Sequence, residues 1–186
     1  RLEGLQALLL PVGALPAGID GVLGIPTLKQ LPIRIDPLRN LLQFGAPALR
    51  GPLVARGPQR LPLEWRRGVP IMRLRGPQGA VEALADSGAE GLFISPELAR
   101  RLQPRGPSET VRLVGLCGEQ TVQRRPFSGL EVAGLTRTRQ PIWQGIITTN
   151  PIFRLLGVEA IVGQELLRSH PQLWRLDLPR PRLDLW

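Results

Sequence analysis

A stretch near the start of the chain is rewritten near its end. Residues 18–44, GIDGVLGIPTLKQLPIRIDPLRNLLQF, and residues 157–186, GVEAIVGQELLRSHPQLWRLDLPRPRLDLW, follow one plan. Each reads glycine, an apolar residue, an acid, a small residue, two apolar residues and glycine, so that Val22-Leu23-Gly24 corresponds to Ile161-Val162-Gly163. Each continues into a short helix-compatible segment, 27–31 or 164–169, with a leucine four residues after the glycine, Leu28 or Leu167. A proline then leads into an alternating strand, PIRID or LWRLDL, and a hairpin-like ending, DPLRNLLQF or DLPRPRLDLW. The stretches upstream, LEGLQALLLPV and LEVAGLTRTRQPIW, correspond more loosely. Self-similarity of this kind marks a duplicated supersecondary unit, so any fold must accommodate two copies of one strand–helix–strand element.

Between the copies nothing repeats. Residues 46–66 are rich in proline, glycine and arginine and are expected to form a linker. From Val69 strands resume, as VPIMRLRG, a turn at Pro77-Gln78-Gly79, and AVEALADSGA. SPELARRLQ is a helix start, with Ser95 as N-cap, Pro96 in the first helical position and Glu97 in the first turn. TVRLVGLCGEQTVQRRPFSGLEVAGL is expected to be a hairpin turning near Gly118 and running into a further strand. The expected organisation is therefore a complete lobe over 67–186, a linker over 46–66, and, over 1–45, the C-terminal half of a similar lobe. With 21 glycines and 20 prolines spread along 186 residues, the breakers favour short strands over long helices, and the fold class is all-β.

Charge and side-chain inventory narrow the functions. The formal net charge is +9, and Lys29 is the only lysine, so the excess is arginine. A basic nucleic-acid-binding β protein is one alternative. Against it, the arginines are scattered over turns and strand ends, and no tyrosine with only four Phe and four Trp is poor material for stacking on bases. Cys117 is alone, so it forms no intrachain disulfide and no cysteine-based zinc site. His170 is the only histidine and lies in RSHPQ, with no nucleophile motif around it, so a Ser-His-Asp or Cys-His arrangement has no basis. No phosphate-binding glycine loop is present, and no cofactor or metal is expected. LQALLLPVGALPAGI is broken by prolines and glycines and is too short to span a bilayer.

One acid stands out. In VEALADSGAEGLFIS an apolar run stops at Asp86, turns on Ser87-Gly88 and resumes. Burying a carboxylate is costly unless hydrogen bonds or a partner compensate it, so Asp86 is either a surface turn residue or held there for chemistry. ALADSGAEGLFIS resembles the Asp-Thr/Ser-Gly-Ala signature of aspartic proteases, and the segments ending in Gly24 and Gly163 are similar to the glycine segment that threads beside the catalytic loop in that family. DGVLGIPTLKQLPIRID looks like the retropepsin-type version. The resemblance is to a retropepsin-like (clan AA) aspartic protease, in a bacterial two-lobed or dimeric form. It implies an acid-protease β-barrel lobe, closed, with one or two short helices, plus half of a second lobe.

The resemblance also implies roles. Asp86 would be a catalytic carboxylate; Ser87, Gly88 and Ala89 would support its loop; Val22, Leu23, Gly24, Ile161, Val162 and Gly163 would form the scaffold. Cys117, Gly118, Glu119 and Gln120 would lie in a flap, which lacks the tyrosine of pepsin-like flaps. Asp36, Asp177 and Asp184 are expected to face solvent from terminal strands. The second carboxylate that the chemistry needs would come from Asp86 of another chain or from a segment upstream of Arg1. A peptide or protein is the implied substrate, and the partner is a second lobe from a homodimer mate or from a cleaved N-terminal fragment. A catalytically inactive binding or dimerisation domain is the other outcome. A chain beginning on Arg1 is expected to be processed or truncated, with an exported or membrane-linked location.

Overall fold

The computed structural model describes residues 18–50, 57–115, 118–132 and 142–186. The upstream stretch LEGLQALLLPV, Cys117 and most of LEVAGLTRTRQPIW lie outside them.

The first copy of the repeat forms α1 (Ile25–Leu28), β1 (Ile33–Asp36) and β2 (Leu41–Phe44), followed by the one-turn helix α2 (Ala46–Leu49). The second copy forms β13 (Ala160–Val162), α5 (Gln164–Leu167), β14 (Gln172–Arg175) and β15 (Arg182–Leu185). Gly24 and Gly163 are the N-caps of α1 and α5, both in extended backbone conformation. The two hairpins then join in one antiparallel sheet of order β2-β1-β14-β15. Arg34 and Leu173, each ten residues after its glycine, hold equivalent places in the two copies and are paired with each other across β1 and β14. The copies are thus related by a local two-fold rotation at that pair, which brings like strand against like strand.

β3 (Gln59–Pro62) adds a fifth strand beside β15, and β4 (Glu64–Arg66) pairs with β5 (Val69–Gly76). The supposed linker 46–66 therefore contributes two strands and a helical turn. Its prolines disguised this, because Pro62 is acceptable on an edge strand, where no neighbour needs its missing N–H.

The second sheet carries the complete lobe. β5 and β6 (Gly79–Ala85) form a hairpin whose Gly76↔Gly79 pairing encloses Pro77 and Gln78, with Gly79 at φ 116°. After β6 come β7 (Leu92–Ile94), α3 (Pro96–Arg101) and β8 (Gln103–Pro104). They are followed by β9 (Glu109–Gly115), β10 (Gly118–Ser128), β11 (Glu131–Val132), β12 (Trp143–Ile147) and α4 (Ile152–Leu156). The order is β11-β5-β6-β13-β7-β12-β10-β8, with β9 paired to β10. Among the described residues this path stays open, and the barrel closure expected from the sequence is not seen.

α3 starts as expected, with the Ser95 hydroxyl accepting from the Leu98 N–H at 3.0 Å, a cap worth about 1 kcal/mol. Among its described residues the lobe over 67–186 has three helices of four to six residues, α3, α4 and α5, against the one or two expected of it. The helix missed outright, α4, is opened by the Asn150 side chain accepting from the Ile152 N–H and closed by Gly157 in the left-handed region, φ 64°. The main core gathers Met72, Leu74, Leu92, Ile94, Leu98, Leu166 and Leu167 with Ile33, Trp174, Leu183 and Leu185, so both sheets share it.

Candidate active site

β6 and β7 are consecutive in the chain but do not pair; β13 lies between them. It runs parallel to β6 (Ile161↔Leu84, Val162↔Ala85) and antiparallel to β7 (Ile161↔Phe93, Val162↔Leu92). The connection 86–91 must therefore arch over the C-terminal end of β13, where the chain leaves through Gly163. Four backbone hydrogen bonds fasten this arch. The Asp86 N–H donates to Val162 O at 2.9 Å, Gly163 to Gly91 O at 3.1 Å, Gln164 to Ala89 O at 2.8 Å and Glu165 to Glu90 O at 2.8 Å. The approach is so close that a Cβ on Gly163 would fall 2.1 Å from Ala89 O and 2.6 Å from Gly91 O. Only glycine fits.

Asp86 sits half-buried at the head of this loop. Its Oδ1 accepts from the Gly88 N–H at 2.9 Å, and its carbonyl accepts from the Ala89 N–H at 3.3 Å. This Asx-type turn fixes the carboxylate with one oxygen engaged and would serve a surface turn equally well. The hydrogen bond that fastens Ser87 runs through its backbone carbonyl, which accepts from Gln164 Nε2 at 3.1 Å. Ile161 and Val162 are buried, and Ala89 is half-buried against Ile161 and its neighbours.

The scaffold residues of the first copy lie elsewhere. Val22 and Leu23 are 62% and 61% exposed, and a Cβ on Gly24 would meet only the ring of Pro26, at 3.6 Å. No loop covers them among the described residues. Gly118, Glu119 and Gln120 begin β10, in a seven-row ladder with β9 from Gly118↔Gly115 to Arg124↔Glu109, and Glu119 and Gln120 are exposed. Nδ1 of His170 lies 2.9 Å from Trp186 O, away from the loop contacts of Asp86.

The expectation that Asp36, Asp177 and Asp184 face solvent is wrong. Asp36 and Asp184 are 1% and 3% exposed and Asp177 is half-buried. Each is held by an arginine close in sequence: Arg39 donates to Asp36 at 2.9 Å, Arg175 to Asp177 at 2.8 and 2.9 Å, and Arg182 to Asp184 at 3.0 Å. A guanidinium fork supplies the partner that makes a buried carboxylate tolerable. The hydrogen bond from Arg175 holds the Asp177 carboxyl below the usual carboxylate range. On β6, Arg66 donates to Glu82 at 2.6 Å and likewise lowers its carboxyl.

The structure thus has an Asp-Ser-Gly loop arched over a glycine segment within an all-β lobe. Residues 72–160 match the family model described as Aspartyl protease, which supports a retropepsin-like aspartyl protease relationship for this part of the chain. The matched region contains Asp86, Ser87 and Gly88 and ends just before Ile161. No curated protein matches the chain. Among the described residues no helix is long and apolar enough to cross a membrane.

Proposed function

We propose that Asp86 is one carboxylate of a catalytic pair in an aspartic endopeptidase. The observation that supports this is the arch of residues 86–91 over Gly163, which presents the carboxylate on a loop tied by main-chain hydrogen bonds to β13 and α5. Two carboxylates roughly 3 Å apart cannot both ionise, so one is left as a base and the other as an acid. The base takes a proton from a water while the acid hydrogen-bonds the scissile carbonyl, and the water oxygen attacks the carbonyl carbon. The family implies peptide substrates, and an extended, apolar-preferring segment is the default for such a cleft.

The second carboxylate comes from a segment that completes the first half-lobe. The local two-fold that relates β1 to β14 maps Gly163 onto Gly24, so the mate of the Asp86 loop would arch over Val22-Leu23-Gly24, which no other described residue covers. Asp86 of another copy is the weaker source. A mate docking by like-strand pairing needs an edge of β14, and both edges are taken, one by β1 and the other by β15.

The test is cleavage of an unfolded protein at acidic pH by the natural protein and by its Asp86→Asn form. Loss of activity by at least 10³-fold with an unchanged circular dichroism spectrum is expected, of the order set by losing an essential acid–base group. Unchanged activity in that variant overturns the proposal. A second reading, an inactive binding domain, is favoured by the fact that Asp86 meets only the Gly88 N–H and no other carboxylate among the described residues. A natural protein that binds peptides but does not cleave them would establish it.

A further inference from the structure

A line of hydrogen bonds runs from the β1–β14 junction to the Asp86 carboxylate. The indole N–H of Trp174 donates to Gln172 Oε1 at 3.0 Å, Gln172 Nε2 donates to Gln164 Oε1 at 2.9 Å, and Gln164 Nε2 donates to Ser87 O at 3.1 Å. That carbonyl belongs to the same peptide unit as the Gly88 N–H, which donates to Asp86 Oδ1 at 2.9 Å. Every donor points the same way. The direction is not arbitrary: an indole can only donate and a carbonyl can only accept, so the two ends fix the orientation of both amides between them.

Placement argues that the line has a purpose. Gln172 is 0% exposed and Trp174 2%, in a core otherwise made of leucines and other apolar groups. A buried amide is retained at a cost unless its bonds are made, and here each polar atom in the line has its partner. The other copy of the repeat has Ile25, Ile33 and Ile35 at the places of Gln164, Gln172 and Trp174. The line is therefore no requirement of the shared scaffold. It belongs to the copy that carries the Asp86 loop.

We propose that Gln164, Gln172 and Trp174 are positioning residues that orient the Ser87–Gly88 peptide and, through its N–H, the Asp86 carboxylate. Bonds aligned head to tail polarise one another, so a donor on the Ser87 carbonyl strengthens the Gly88 N–H as a donor to Asp86. The line also ties the loop to the β1–β14 junction, since Trp174 pairs with Ile33 and Gln172 with Ile35 across it. Two carboxylates related by a two-fold would be alike in surroundings; this one-sided support makes Asp86 the differently held member. The assignment of catalytic consequence rests on the endopeptidase proposed above, whereas the positioning itself does not.

Amide hydrogen exchange and the amide proton shift of Gly88, read by NMR on the whole chain, test it without any activity. Gln164→Glu keeps the shape and the acceptor for Gln172 but removes the donor to Ser87, and exchange at Gly88 should speed about tenfold, the loss of one hydrogen bond. Trp174→Phe removes the donor at the far end, and about threefold is expected at Gly88 although that residue touches nothing in the loop. Amides of the β6–β13 ladder serve as the folding control. Should Trp174→Phe fail to fold, Gln164→Glu, at the half-buried end, carries the test alone. An unchanged Gly88 in a folded Gln164→Glu protein overturns the proposal. In the natural protein the same variant should lower kcat with KM little altered. A Gly88 response without any proteolysis in the wild type would leave the positioning standing and sink the endopeptidase.

Discussion

Ile161-Val162-Gly163 and Val22-Leu23-Gly24 have nearly the same sequence, the same extended glycine and the same one-turn helix after it, yet they live in opposite surroundings. Val162 is fully buried under the 86–91 arch, with Gly163 pressed against Ala89 and Gly91. Val22 and Leu23 are mostly exposed, and Gly24 has room for a side chain. An identical local plan is thus compatible with a covered glycine and, among the described residues, an uncovered one. The glycine segment is a socket, and what distinguishes the two copies among the described residues is the loop seated on one of them.

The sharpest way to break this contrast is to add one methyl group to each glycine. Gly163→Ala should cost about 3 kcal/mol or more in denaturant unfolding, because the clash is with backbone that cannot retreat without opening the Asp86 loop. Gly24→Ala should leave stability within about 0.5 kcal/mol. Equal effects would mean that the two sockets are equally filled.

Truncating the apolar residues gives the next largest difference. Val162→Ala should destabilise the chain by about 2 kcal/mol, combining lost burial with a small cavity. Leu23→Ala should change stability by no more than about 0.5 kcal/mol in the same measurement. A large loss at Leu23 would show that something already covers the first socket.

Acidification probes the smallest effect, the ion pairs Arg66–Glu82 on β4 and β6 and Arg175–Asp177 in the second copy. Glu82 and Asp177 both have carboxyls lowered by a hydrogen-bonded arginine. The folded state therefore binds the proton less readily than the unfolded chain. Their stabilisation is fully present above the unfolded carboxyl values of about 4 and is lost as pH falls through the lower folded values. Both pairs are partly exposed, so solvent screening limits each to about 0.5 kcal/mol. Glu82→Gln should flatten the acid side of the stability–pH curve by about that amount, measured by urea unfolding between pH 6 and 3. A curve of unchanged steepness would show that Arg66 contributes nothing through charge.

Much of the site was legible in the residues themselves. Asp86-Ser87-Gly88 between apolar runs, the paired glycines at 24 and 163, and the Ser95 cap are short-range patterns; Ser95 caps α3 and both glycines precede one-turn helices, but among the described residues only Gly163 lies against the Asp86 loop. The open sheet, β3 and β4 within proline-rich sequence, and helix α4 were not foreseen, since edge pairing and tertiary contact decide them. The solvent assignment of Asp36 and Asp184 failed because a carboxylate near a chain end looks exposed until its arginine is seen folding over it. Gln164, Gln172 and Trp174 gave no signal at all; only comparison of the two copies, three isoleucines against two glutamines and a tryptophan, could have raised the question.

By itself the sequence determined that one strand–glycine–helix–strand element is built twice and that a single Asp-Ser-Gly loop is available to it, because dihedral preference and residue pattern act over a few neighbours. The tertiary structure decided which copy receives the loop. That choice depends on contacts such as Ser87 with Gln164 and Gly91 with Gly163, which join residues more than seventy positions apart and exist only once β13 has entered between β6 and β7.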